Sequence, residues 1–209
     1  MKTIKRLLGP KIHFDQKVVL TTIISTSLII VDQYHRITSS IFNSRVILFL
    51  LIPLFIIIFI FRESPTQYGF QLGDWKTGIA LTIASIVIIS PLIWFFSRQD
   101  FQLEGYYLRY LSPHIAWDMF RDLIGWEFLF RGWVLFSYAR RYGPDALWLQ
   151  AVPFAIAHIG KPEIETLSTI FGGFVFGWIA YRTRSFLYPF LIHWFIICLT
   201  ILISTGIIR

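Results

Sequence analysis

The sequence is poor in charge and in cysteine. Of its 209 residues only 12 are acidic, charged residues of both signs make up 15%, and Cys198 is the single thiol. A disordered chain carries more charge and fewer apolar side chains, and a disulfide-stapled module needs paired cysteines. Both classes are excluded. No heptad pattern persists, which removes a coiled coil, and no internal period or low-complexity tract marks a second domain or an inverted-repeat transporter. Cys198 is read as a small packing residue.

Apolar side chains take the place of the missing charge. Hydrophobic residues amount to 56% and aromatic residues to 18%, with 21 Phe. They come in long runs rather than in the broken stripes of amphipathic helices on a soluble core, so the chain reads as an integral membrane protein. The net charge of +7 comes from 19 Lys and Arg that lie mostly in short segments between the apolar runs. Such placement is a topology signal rather than a nucleic-acid footprint. The bilayer is the expected environment and no nucleic acid is expected as partner.

A helix needs about 20 apolar residues to cross about 30 Å of hydrocarbon. Seven segments come close: Val18 to Val31, Arg45 to Phe61, Thr77 to Phe96, Pro113 to Ala139, Asp145 to Ile159, Ile164 to Tyr181 and Phe186 to Ile208. The fold class is therefore all-α, a polytopic transmembrane helical bundle of about seven helices (six to eight). The first segment resembles a signal peptide but lacks a small-x-small cleavage site, so it is expected to stay as an anchor. Residues 68–75 and Phe101 to Tyr110 mix aromatics with polar residues and are expected at the headgroup level. The chain divides into N-terminal membrane helices and interfacial segments, 1–112, and a four-helix core, 113–209, within one membrane domain.

With the N-terminus inside, the inner segments hold 11 Lys and Arg (residues 2, 5, 6, 11, 17, 62, 76, 140, 141, 182 and 184) and the outer ones 6 (residues 36, 45, 98, 109, 161 and 209). That split favours a cytoplasmic N-terminus in a plasma (inner) membrane.

An ionisable group deep in a membrane costs several kcal/mol (about 2.5 to 3.5 on insertion scales), so each should face the bundle interior with a partner or a function. Deep in the last four spans lie Glu127, Arg131, His158 and His193. Glu127 and Arg131 are four residues apart on one helix, close enough for an ion pair. Asp118 and Asp122 project from the opposite face near Arg121 and form a second, structural cluster. His158 and His193 both sit toward the outer leaflet, where Glu127 can meet them. A carboxylate and two imidazoles in a dry pocket can drive water onto a peptide carbonyl, the carboxylate taking the proton while imidazoles hold the water and the oxyanion. The same Glu and two His can instead hold Zn²⁺ with an open position for water, although no HExxH is present. Glu127 with Arg131 can also be a purely structural pair.

Three motifs carry a family resemblance: Glu127-Phe128-Leu129-Phe130-Arg131, then Phe154-Ala155-Ile156-Ala157-His158, then His193 in the last span. In order, spacing and helical placement they resemble the CPBP family of intramembrane proteases, the CAAX prenyl endopeptidases and bacteriocin-processing enzymes also called the Abi family. The family pattern reads EExxxR, FxxxH and HxxxN; here its first Glu is Trp126 and its final Asn is Ile197. The resemblance implies a helical membrane peptidase, of glutamate or metal type, with a site that opens within the bilayer. Its catalytic residues would be Glu127 in the role of base, with Arg131, His158 and His193. The implied partner is a membrane-anchored peptide or protein substrate cut near the membrane, at a C-terminus or in a leader; no cofactor is required unless Zn²⁺ is bound. Two other classes stay open: a catalytically inactive scaffold or chaperone, motivated by Trp126 and Ile197, and a small transporter using the same buried charges.

Glu163 and Glu165 start the sixth span, where acids complement the helix dipole. Gly172, Gly173 and Gly177 are expected to permit close helix packing, and His13, His35 and His114 to lie at interfaces.

Overall fold

The computed structural model of the protein describes residues 13–98 and 101–208. The N-terminal charges Lys2, Lys5, Arg6 and Lys11, together with Gln99, Asp100 and Arg209, lie outside the described residues.

All seven expected spans are helices. They are α1 (Gln16–Tyr34), α2 (Ile41–Ile60), α3 (Trp75–Ser97), α5 (residues 115–142), α6 (Ala146–Ile156), α7 (Glu163–Thr183) and α8 (Leu187–Ser204), with a short helix α4 (Phe101–Tyr107) before α5. Five of them, α1, α2, α3, α7 and α8, are long and apolar enough to cross a membrane. The other two miss that description for opposite reasons. Helix α5 carries Asp118, Arg121, Asp122, Glu127 and Arg131, and α6 has 11 residues.

The expected ends shift where a polar residue misled. Arg45 is not the start of α2 but its fifth residue, because Ile41-Phe42-Asn43-Ser44 already forms a turn behind Ser40. Helix α1 starts where the Asp15 carboxylate accepts from the Lys17 and Val18 amides, satisfying two of the orphan donors of a helix start. Helix α6 stops at Ile156, so His158 lies in the turn that follows rather than in the span. Pro53 lies inside α2, where a proline removes a backbone donor, and α2 widens into π-helical stretches at Ile47–Leu51 and Ile56–Ile60.

Helix α5 is central. It packs on α2 and α8 through its first half and on α6, α7 and α1 through its second, while α3 leans on α8 at the outside. Gly125 makes the α2–α5 crossing possible, since a Cβ there would lie 2.7 Å from the Arg45 carbonyl oxygen. Gly173 and Gly177 play the same part between α7 and α6, a Gly177 Cβ falling 2.4 Å from Gln150 Nε2. Gly172 does not, since a Cβ there would meet nothing within 4 Å among the described residues. Large apolar side chains such as Ile83, Val87, Ile88 and Phe171 are exposed on the outer faces, as expected where lipid rather than water is the neighbour. His13, His35 and His114 are exposed, and Cys198 packs half-buried against the main core.

The loop after α2, expected at the headgroup level, is bonded into the fold. Tyr68 is fully buried, Gly69 O accepts from Phe186 N at 3.1 Å, Thr183 O accepts from Asp74 N at 2.9 Å, and Tyr188 Oη donates to Leu72 O at 2.7 Å. These bonds strap residues 68–74 onto the α7–α8 turn.

Candidate active site

The Glu127 to Arg131 segment sits where α5 changes character. Its first part, Ile115–Glu127, is α-helical, Phe128–Val134 is π-helical, and Leu135–Tyr142 is α-helical again. Such π stretches are frequent at functional sites. Every side chain from Glu127 to Val134 is buried, so this turn can hold polar groups only against other protein atoms.

Glu127 and Arg131 are both fully buried, and Arg131 Nε approaches Glu127 Oε2 to 3.4 Å, an ion-pair distance without hydrogen-bond geometry. The three guanidinium nitrogens of Arg131 have no hydrogen-bond partner among the described residues. Instead the group lies 3.8 Å from the Phe154 ring centroid, with Phe176 at 5.3 Å and Phe130 at 5.9 Å. A desolvated guanidinium over aromatic faces gains cation–π attraction, and its charge remains matched to the Glu127 carboxylate.

The other oxygen of that carboxylate is held across the bundle. His193 Nδ1, on α8, donates to Glu127 Oε1 at 2.7 Å. This fixes the tautomer of neutral His193 with its proton on Nδ1, leaving Nε2 as an acceptor. His158 Nδ1 donates to Phe154 O at 2.7 Å, which fixes that ring in the same sense. Both imidazoles lean on Phe154, at 4.4 Å for His158 and 6.1 Å for His193. The structure thus brings Arg131, His158 and His193 around one aromatic ring, with Glu127 joined to Arg131 and His193, contacts that spacing alone did not specify.

His158 and His193 line a cavity of about 250 Å³ whose wall also includes Arg45, Asp122, Trp126, Lys161 and Ile197. Glu127 is behind that wall, not in it. Trp126 stands between Arg45, 5.3 Å from its ring, and His158, 5.6 Å away edge-on. Two positions that are polar in the family pattern therefore give this cavity an apolar flank.

Asp122 does not join Asp118 and Arg121 as expected. Its Oδ1 accepts from Arg45 Nη1 at 2.8 Å, while Arg45 Nε donates to both oxygens of Asp32 at 3.1 Å. Asp118 instead takes Arg121 at 2.6 Å and Ser112 at 2.8 Å. Arg45 thus ties α1, α2 and α5 together at the cavity wall. No spacing rule exposes such a triad, because its members come from three separate helices. The available signal was a cation within an apolar run with acids at the same depth in two other spans.

Glu165 is a partner as well as a helix-start acid. It accepts from Tyr107 Oη and, at 2.8 Å, from Lys161 Nζ. Tyr107 is almost fully buried and lines the cavity, so the stretch expected at the interface closes one side of the site. Glu163 is exposed.

The donor set does not fit a metal ion as arranged. Among the described residues no three His, Cys, Asp or Glu side chains group closely enough to hold one, and Glu127 Oε1 and His193 Nδ1 are occupied by each other.

Residues 111–199 match the family model described as type II CAAX prenyl endopeptidase Rce1-like. Comparison with curated proteins and with solved structures gives no match. The matched segment contains Glu127, Arg131, His158 and His193 and leaves Arg45 and Tyr107 outside it. Residues 111–199 are thus similar to a type II CAAX prenyl endopeptidase Rce1-like domain, within a helical integral membrane protein.

Proposed function

We propose that the protein is an intramembrane endopeptidase that cleaves a membrane-proximal peptide with a water molecule activated between His193 and His158. The observation that carries this reading is the 2.7 Å bond from His193 Nδ1 to Glu127 Oε1 behind a cavity that His193 itself lines. A carboxylate that fixes an imidazole tautomer and stabilises its protonated form makes the opposite ring nitrogen an effective base. In this arrangement His193 Nε2 takes a proton from water and the oxygen forms a bond to the scissile carbonyl carbon. The C–N bond then breaks as the proton passes to the leaving amine. Water and peptide become a carboxylic acid and an amine. Glu127 and Arg131 act through His193 as positioning residues, and His158 orients the water. Arg45 and Lys161, both in the cavity wall, supply positive charge near the developing oxyanion.

The natural substrate class is a membrane-anchored peptide or protein presenting a C-terminal or leader segment. With the N-terminus in the cytoplasm of a plasma (inner) membrane, as the charge split favours, the cavity opens toward the opposite side, since its wall includes Gln33 at the end of α1 and Arg45 near the start of α2.

The test uses Glu127→Gln and His193→Ala made separately, with accumulation in the membrane checked by immunoblot. Cleavage is read on a panel of membrane-anchored reporter peptides, with and without a prenylated C-terminus. Loss of cleavage in both variants at normal accumulation supports the reading; retained cleavage in both overturns it.

Trp126 and Ile197 favour a second reading, an inactive scaffold built on the same fold. Both are apolar and line the cavity. A wild-type protein that cleaves no reporter, alongside a Trp126→Glu variant that does, would support it.

A further inference from the structure

A second pocket, of about 490 Å³, lies at the end of the bundle remote from His158, and it is basic in character. Thr66, Gln67, Gln71, Phe136, Ala139, Arg140, Tyr181 and Arg184 line it. Two of these are arginines and none is an acid. Arg140 is neutralised from behind, since its Nη1 donates to both Glu63 oxygens at 2.7 Å and its Nη2 to Gln67 Oε1 at 3.2 Å. Arg184 makes no ion pair among the described residues, and its guanidinium stands 5.9 Å from the Tyr181 ring and 6.0 Å from the Phe136 ring.

The backbone at Arg184 is unusual. It caps α7 in the left-handed conformation, at φ 59° and ψ 30°, a place helices usually give to glycine. An arginine there carries a conformational cost that glycine would not. Its carbonyl is fixed by Gln71 Nε2 at 3.2 Å.

The depth of the pocket narrows its ligand. Arg140 is in the last turn of α5 and Tyr181 in the last turn of α7, Arg184 follows α7, and residues 66–71 cross from α2 to α3 at the same end. That level is the boundary between hydrocarbon and water, where basic side chains meet lipid phosphates. We infer that this pocket binds the phosphate of an anionic phospholipid, with Arg184 as its principal cation and the Phe136 and Tyr181 rings against the glycerol and upper acyl carbons. Guanidinium pairs readily with phosphate oxygens. Among the described residues no carboxylate lines the pocket to act as counter-ion for a choline or ethanolamine ammonium, and Arg184 would repel one, so the preference is for a headgroup without one. This assignment is independent of the peptidase reading.

The full-length protein in nanodiscs of phosphatidylglycerol or phosphatidylcholine, examined by native mass spectrometry after release into detergent, tests it. The wild type should retain phosphatidylglycerol over phosphatidylcholine by about fivefold, the scale of one basic residue at an anionic surface. Arg184→Gly, whose backbone suits the left-handed cap, should stay folded with an unchanged or higher unfolding temperature and lose that preference; Arg184→Lys should keep most of it. Equal retention of phosphatidylglycerol by the wild type and Arg184→Gly overturns the site. A rise in unfolding temperature with millimolar inorganic phosphate as large as that with phosphatidylglycerol overturns the lipid as its source.

Discussion

His193 Nδ1 on α8 donates to Glu127 Oε1 on α5 across 2.7 Å, and this bond joins the two helices at the depth of the cavity floor. Its chemistry runs in one direction. Glu127 is fully buried and carries Arg131 on its other side at 3.4 Å, so the carboxylate has charge compensation from the guanidinium and a hydrogen bond from the imidazole. The imidazole is left with one free nitrogen and a cavity to present it to. Local helical spacing supplies the first relationship, and helix packing supplies the second.

Arg131 should matter first for folding. Its removal as Arg131→Met would leave Glu127 buried without its countercharge, and breaking a buried pair from one side costs about 3 to 5 kcal/mol. The double variant Glu127→Gln with Arg131→Met should recover much of that loss. Thermal unfolding of the purified proteins in one detergent checks both; a single variant as stable as the wild type would contradict the pairing.

Glu63 gives a pH dependence. Burial alone would raise its carboxyl, but hydrogen bonds from Arg140, Lys17 and Tyr68 outweigh that and hold it at about 2 against an ordinary 4.5. A carboxyl depressed on folding stabilises the fold above its unfolded value, and that contribution fades as pH falls from about 4.5 through about 2. Since Lys17 and Arg140 are partly exposed, the contribution at neutral pH is about 1 to 3 kcal/mol. Glu63→Gln should therefore be less stable than wild type at pH 7, and the gap should close as the pH is lowered from 5 toward 2. A gap constant over that range would contradict the assignment.

Chelators should leave cleavage unchanged. Glu127 and His193 satisfy each other, and among the described residues no three candidate ligands group around a metal position. Titration of the active protein with phenanthroline checks this. Loss of activity that returns on adding Zn²⁺ would mean that the side chains rearrange around an ion.

Much of this architecture was legible from the chain. Seven apolar runs bounded by Gly, Pro and charge became seven helices, because a spanning segment must satisfy its own backbone and so follows its apolar length. The grouping of Glu127, Arg131, His158 and His193 was likewise readable, since buried ionisable groups in a membrane protein have few places to be. What spacing did not reveal was the choice of partner. His158 bonds the Phe154 carbonyl rather than the carboxylate, because it lies in the turn after α6, one helical turn from that oxygen. Arg45 read as a charge on the outer side, yet with Asp32 and Asp122 it forms a bridge over three helices. Such a contact depends on how helices are set beside one another. Gly172 failed for a related reason, since periodicity does not say which side of a helix meets a neighbour and which meets lipid.

The most direct measurement is a double-mutant cycle on the cleavage rate of one reporter peptide by purified protein in nanodiscs, using Glu127→Gln, His193→Ala and both together. General-base catalysis contributes about 10²- to 10⁴-fold, and residues acting as one unit are strongly non-additive. The account predicts that each single variant loses at least about a hundredfold and that the double variant loses little more than the worse single one. Independent losses that multiply in the double variant, or cleavage undiminished in either single variant, would contradict it.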